Sequence, residues 1–298
     1  MRLPWLALLL PLTLIAGCFG GDDSGGEPTV TPSPTPTPGP TVVRTLEVQD
    51  RREVTGVATG IDEFIDVGFE PSVEVAADGT IYVTAARGAG SHGSLLWVSR
   101  DNGTTFVHIP FADPATGVSN LPFGAEGDLA VDAASRAYFV DLTLASTTVS
   151  RSTDQGRTWE VRNPAAFVVP GGDREWVAAG PEELVAVTWN HLAGESSAPG
   201  MWVAVSADGG RTFPTQTVVL DAGGGFAGGI GMGPNGTLVV ARIPDDVTAH
   251  VSNDRGATFT RSVVHATQGN ATYLVAFADV DAAGNLYVAW TEQAGNAS

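Results

Sequence analysis

An eight-residue pattern that returns four times constrains this chain more than any other feature. It stands as Ser99-Arg100-Asp101-Asn102-Gly103-Thr104-Thr105-Phe106, then as Ser152-Thr153-Asp154-Gln155-Gly156-Arg157-Thr158-Trp159, Ser206-Ala207-Asp208-Gly209-Gly210-Arg211-Thr212-Phe213 and Ser252-Asn253-Asp254-Arg255-Gly256-Ala257-Thr258-Phe259. The copies begin 53, 54 and 46 residues apart, about the length of one four-stranded antiparallel unit with its loops. Each repeated letter has a physical role in a tight hairpin turn. The aspartate accepts hydrogen bonds from backbone N–H groups of its own turn, glycine takes a positive φ, and the aromatic ring carries the next strand into apolar surroundings. Asp101, Asp154, Asp208 and Asp254 are therefore expected to clasp hairpins: one per unit spreads them too widely to form a catalytic set.

Upstream of each clasp lies a second pattern, two short β-branched or aromatic runs around a Gly or Asp turn. Examples are Ser72–Val75 into Thr80–Val83, Leu129–Val131 into Ala137–Val140, and Trp176–Ala178 into Leu184–Val187. A fourth copy runs from Gly228 into Leu238–Val240, and a fifth from Ala278–Val280 into Asn285–Trp290. Nothing after Thr41 sustains a helical period, so the domain is expected to be all-β.

Clasps and strand pairs together resemble the Asp-box, or BNR, repeats of the sialidase-like β-propeller superfamily, over roughly Phe69 to Trp290. The resemblance implies a β-propeller of four-stranded antiparallel blades. Five inner pairs against four clasps give about four and a half blades, expected to be part of a six- or seven-bladed ring. The same box occurs in sialidases, other glycoside hydrolases, sorting receptors and non-enzymatic assembly factors, so it specifies fold more than function.

The N-terminus reads as an export signal over residues 1–17: Arg2, an apolar run from Leu3 to Ile15, then Ala16 and Gly17 before Cys18. That run is too short to span a bilayer. Ile15-Ala16-Gly17-Cys18 resembles the lipobox of prokaryotic lipoproteins, which implies lipidation of Cys18, the chain's single cysteine. Residues 18–41 are Gly/Asp-rich and then alternate Thr and Pro, a tether whose Pro/Thr part would hold a domain on the order of 40 Å from a lipid surface. The propeller occupies 42–298. The expected location is the cell surface, with envelope lipid as partner through Cys18. A net charge of -18 excludes nucleic acid as a natural partner, because phosphate binding needs clustered positive charge.

In such a propeller the clasps lie on one face, and the loops entering each first strand or joining the second to the third converge on the other. The candidates there are Glu70, Arg87 and His92; Glu126, Asp128 and Asp141; Asp173, Arg174, Glu175, Trp176, Asn190 and His191; and Arg242, Asp245 and Asp246. Arg87, Asp173, Arg174, Glu175, Trp176, His191 and Arg242 are the ligand-binding candidates. The sialidase resemblance implies an arginine triad that clamps a carboxylate, for which Arg87, Arg174 and Arg242 are available. It departs at three points. Arg242-Ile243-Pro244 falls in the fourth blade instead of before the first clasp, no Asp lies between Ala86 and Ser94, and no Tyr–Glu pair stands out. No catalytic set is therefore assigned. The five histidines lack metal-ligand spacing, and no cofactor is expected beyond a Ca²⁺ ion on Asp128, Asp141 and Asp173. The expected function is binding of an extracellular glycan, peptide or protein on the loop face without catalysis. The alternative is an exo-sialidase-like extracellular glycoside hydrolase completed by further C-terminal blades.

Overall fold

The computed structural model describes residues 69–86, 94–109, 127–142, 147–163, 172–191, 200–220, 226–243, 246–267 and 275–291. Cys18, the tether, Arg87, His92, Glu126 and Asp245 lie outside them, as does the side chain of His191. The described residues are strands and turns, with one 3-10 turn at Pro181–Glu183.

Four antiparallel sheets of four strands follow one another. The first holds β1 (Phe69–Val75), β2 (Ile81–Ala86), β3 (Leu95–Ser99) and β4 (Val107–His108), and the second β5 (Gly127–Val131), β6 (Ala137–Leu142), β7 (Thr147–Ser152) and β8 (Glu160–Asn163). The third holds β9 (Gly172–Ala179), β10 (Val185–His191), β11 (Gly200–Ser206) and β12 (Thr215–Leu220). After the two-residue β13 (Phe226–Ala227), the fourth holds β14 (Ile230–Met232), β15 (Leu238–Arg242), β16 (Val247–Ser252) and β17 (Thr260–His265). β18 (Val275–Val280) and β19 (Leu286–Ala289) form the inner pair of a fifth blade. β13 lies parallel on β18, so the strand entering blade four is hydrogen-bonded to blade five. This is a partial β-propeller of four and a half blades, as expected.

The middle strands are buried on both faces because each blade is covered by its neighbours. Tyr82, Leu96 and Val98 of blade one meet Leu129, Ala137 and Phe139 of blade two. Tyr138, Val140 and Val149 of blade two meet Val185, Val187 and Trp189 of blade three. Each fully buried Val, Leu or Phe contributes about 1.5–3 kcal/mol relative to exposure, so the blade interfaces dominate stability. The outer side of the first sheet differs: no described blade covers it, and Val73 and Val75 on β1 are more than half exposed, while Phe277 and Tyr287 on β18–β19, also half or more exposed, border a cavity between the inner strands.

The clasps turn out to be interface devices as well as turns. In each, the serine hydroxyl donates to the aspartate and accepts the glycine N–H, as in Ser206 Oγ to Asp208 Oδ1 at 2.7 Å and Gly210 N to Ser206 Oγ at 2.9 Å. The threonine gives the aspartate both its N–H and its hydroxyl, 2.9 and 2.7 Å in Thr212. The glycine is required twice over. Gly156, Gly210 and Gly256 sit at φ of 70°, 82° and 86°, and a β-carbon on them would come within 3.0, 2.8 and 2.5 Å of Val98, Val149 and Val205 of the preceding blade. Trp159, Phe213 and Phe259 pack into the same interfaces.

Candidate functional site

The inner strands β1, β5, β9, β14 and β18 neighbour one another in chain order, and a cavity of about 720 Å³ opens between them. Its position follows from strand alternation. Each inner strand ends in a turn closed by a backbone hydrogen bond, Ala76 N to Thr80 O in blade one and Asp281 N to Asn285 O in blade five. Counting back from these turns puts Glu74 and Asp279 at one level. Ser72, Asp128, Trp176, Gly229 and Phe277 lie at the level two residues nearer the loop face.

Two bulges set the mouth. The β1–β2 register shifts between Phe69 and Ser72, and the β9–β10 register shifts across Arg174 and Glu175. Glu70 and Arg174 take φ of 50° and 54° there. Left-handed backbone at a residue with a β-carbon costs on the order of 1–3 kcal/mol, and bulges next to sites re-aim side chains. Here they turn Glu70 and Arg174 toward each other as an ion pair joining blades one and three.

Deeper in, the electrostatics are acidic. Burial, with the charges of Asp128 and Asp279 added, pushes the Glu74 carboxyl up to about 7. Burial likewise raises Asp128 to about 6, against stabilising hydrogen bonds from the Val177 N–H, at 2.9 Å, and from Ser72. Asp279 lies on β18 with Oδ1 accepting its neighbour's N–H from Val280 at 2.7 Å. Trp176 and Phe277 meet edge to face across the cavity, ring centres 6.1 Å apart, and Tyr287 completes an aromatic wall.

The sequence-derived candidates are thus divided. Arg174 and Trp176 line the cavity. Glu175, turned away by the bulge, is buried beside a recess of about 20 Å³ that Ala86 and Gly127 also line. Asp173 pairs with Asn190 in the β9–β10 ladder, and the backbone of His191 pairs with Gly172. Arg242 is buried within β15 opposite Thr248 and does not line the cavity, so it does not join Arg174 in an arginine clamp. Asp141 is buried beside Ser94, which donates to it at 2.7 Å, and burial raises its carboxyl well above the ordinary range. Among the described residues no three His, Cys, Asp or Glu side chains gather closely enough to share a metal ion, so Asp128, Asp141 and Asp173 do not form a Ca²⁺ cage. Sequence reasoning missed Glu74, Asp279, Phe277 and Tyr287. Aligning the inner strands on their turns, rather than on the clasps, would have found the first three.

No protein-family model matches the chain, and no curated protein matches it in sequence. Solved structures do resemble it. A Penicillium chrysogenum α-L-arabinanase complexed with arabinobiose aligns at 14% identity over 76% of this chain and 76% of that one, with a TM-score of 0.52. The Fusarium graminearum α-L-arabinofuranosidase Arb93A aligns at 13% identity over 75% and 74%, with a TM-score of 0.50. A Hadza microbial sialidase aligns at 16% identity over 74% of this chain and 50% of that one, with a TM-score of 0.49. At such identities the likeness is one of fold: this chain shares the propeller architecture on which the arabinanase and the arabinofuranosidase are built.

Proposed function

We propose that the cavity between the inner strands is a glycan site and that the chain is a glycoside hydrolase with Glu74 as proton donor. The observation that carries this reading is a carboxyl held near 7 inside an aromatic-lined cavity that Asp128 and Asp279 also line. Glycosidic cleavage needs one carboxyl that keeps its proton at the working pH and one that does not. Glu74 would protonate the leaving oxygen while the exposed carboxylate of Asp279 activates water, and Trp176 offers a ring face on which a sugar can stack. Propeller glycosidases among the structural relatives support this hydrolytic reading over binding alone.

The charge pattern disfavours a sialoside. Among the described residues four acidic side chains, Glu70, Glu74, Asp128 and Asp279, line the cavity with one arginine, Arg174, and Glu70 already holds that arginine. An anionic sugar would meet repulsion there. The test is hydrolysis of a panel of uncharged and anionic oligosaccharides by the full chain, followed by chromatography of the products. Turnover should appear on non-anionic substrates and fall by about 10²–10⁴-fold in kcat in Glu74→Gln. No turnover on any substrate, or an unchanged kcat in that variant, overturns the reading. The aromatic pair favours a second reading, binding without cleavage, which predicts saturable binding with no product.

We also infer that the mature chain is held at the cell surface by lipid on Cys18. Metabolic labelling with a radioactive fatty acid should mark the chain and be lost in Cys18→Ala.

A further inference from the structure

We propose that the cavity selects a saccharide bearing a free amine, recognised as an ammonium ion among Glu74, Asp128 and Asp279 and against the rings of Trp176 and Phe277. This rests on the glycan reading above and narrows it to a substrate class.

Three observations lead to it. First, the cavity's negative charge exceeds what its own cation offsets, since Arg174 is engaged at the mouth by Glu70. Among the described residues that line the cavity, no basic side chain lies beside Glu74, Asp128 and Asp279. Second, those carboxylates repel one another: the charges of Asp128 and Asp279 both raise the Glu74 carboxyl. Yet they do not converge closely enough to ligate one metal ion. Carboxylates that feel one another's charge without sharing a coordination sphere suit a polyatomic cation. Third, three aromatic side chains share the remaining walls with aliphatic ones, Trp176 and Phe277 edge to face at 6.1 Å and Tyr287 also in the lining. Ring faces attract an ammonium group as well as a sugar's C–H face. An N-acetyl group at the same place would remove the charge and bring a bulkier neutral amide to carboxylates that gain nothing from it.

The amine and the proton donor are compatible. An ammonium ion between Asp128 and Asp279 offsets the two charges that raise Glu74, but burial, the larger cause, remains. Binding should therefore release part of a proton from Glu74 near neutral pH and leave the rest in place.

The experiment is calorimetric titration of the full chain with a glucosamine trisaccharide and with its fully N-acetylated counterpart, at about pH 6 where the free amines are protonated. The amine form should bind about tenfold more tightly or better. Asp279→Asn, or Asp279→Ser should that variant fold poorly, should bring the two ligands to within about twofold of each other. Glu182→Gln, which removes the same charge from a residue that does not line the cavity, should leave the preference intact and so excludes general attraction to an acidic chain. Equal affinity for the two forms, or a preference that survives both cavity variants, overturns the amine assignment while leaving the glycan reading standing. Failure of both trisaccharides and of every uncharged sugar to bind removes the glycan reading, and this inference with it.

Discussion

The clasp turns and the inner-strand cavity use the same side-chain chemistry to opposite ends. In the clasps each carboxylate is saturated with donors: Asp208 takes the Ser206 hydroxyl, the N–H groups of Arg211 and Thr212, and the Thr212 hydroxyl. Such bonds outweigh the burial of Asp208 and, with burial slight, hold Asp101 and Asp254 down too, each to about 2. In the cavity burial wins: it raises Asp128 to about 6 against its hydrogen bonds and, with the charges of Asp128 and Asp279 added, Glu74 to about 7. An acidic side chain's proton affinity here is set by the balance between its hydrogen-bond donors and its burial.

The variant with the largest expected effect tests the clasp as an interface. Gly256→Ala forces a β-carbon to within 2.5 Å of Val205 at a φ of 86° and should cost about 3–5 kcal/mol, read as a lower urea midpoint. The same change at Gly103, whose β-carbon would meet only Ile81 of its own blade at 3.4 Å, should cost less, and equal costs would break the interface account. Next comes Glu74→Gln, which removes a group that folding makes harder to ionise. A carboxyl raised by folding contributes stability below its unfolded value that is lost as pH rises through the folded one. Wild-type stability should therefore fall between about pH 4 and 7 from Glu74 and Asp128, whose folded values are about 7 and 6. At about pH 8 Glu74→Gln should be more stable than wild type by about 1–3 kcal/mol. A pH-independent difference would contradict the burial of Glu74.

The clasp carboxylates behave in the opposite sense. Their folded values lie below the unfolded one, so the stability they contribute is present above about pH 4 and lost as pH falls toward 2. Asp208→Asn should cost about 1–2 kcal/mol near neutrality and much less at the acid end, as thermal melts across that range would show. The smallest effect belongs to Glu183→Gln. Glu183 sits in the Pro181–Glu183 turn and reaches Arg136 and Arg151 of blade two at 2.8 and 3.2 Å, but it is a third exposed and should contribute only about 0.5–1 kcal/mol. A salt-insensitive loss larger than that would give these ion pairs a greater part in joining the blades than the clasp glycines imply.

Legibility in the sequence followed contiguity. A clasp is eight consecutive residues whose contacts are mostly to one another, so its four copies could be read and counted. The cavity draws on five blades, and the charge of Asp279 reaches Glu74 across about 200 residues of intervening chain. Arg174 and Trp176 were legible because the Asp173–Trp176 run alternates charge beside an indole. That Glu175 would turn inward and Arg174 pair with Glu70 was not, because a bulge shifts which residues share a face.

The sequence by itself determined the blade, its period and its clasps, because hydrogen bonds within one turn and alternation along one strand are local properties. Only the tertiary structure decided that the glycines are needed by the neighbouring blade and that Arg242 and Asp141 are buried apart from the cavity. It alone also brought Glu74, Asp128 and Asp279 near enough to feel one another's charge. Those outcomes depend on distances between blades, and a carboxyl's affinity for its proton is set by the solvent and charges that the folded chain leaves around it.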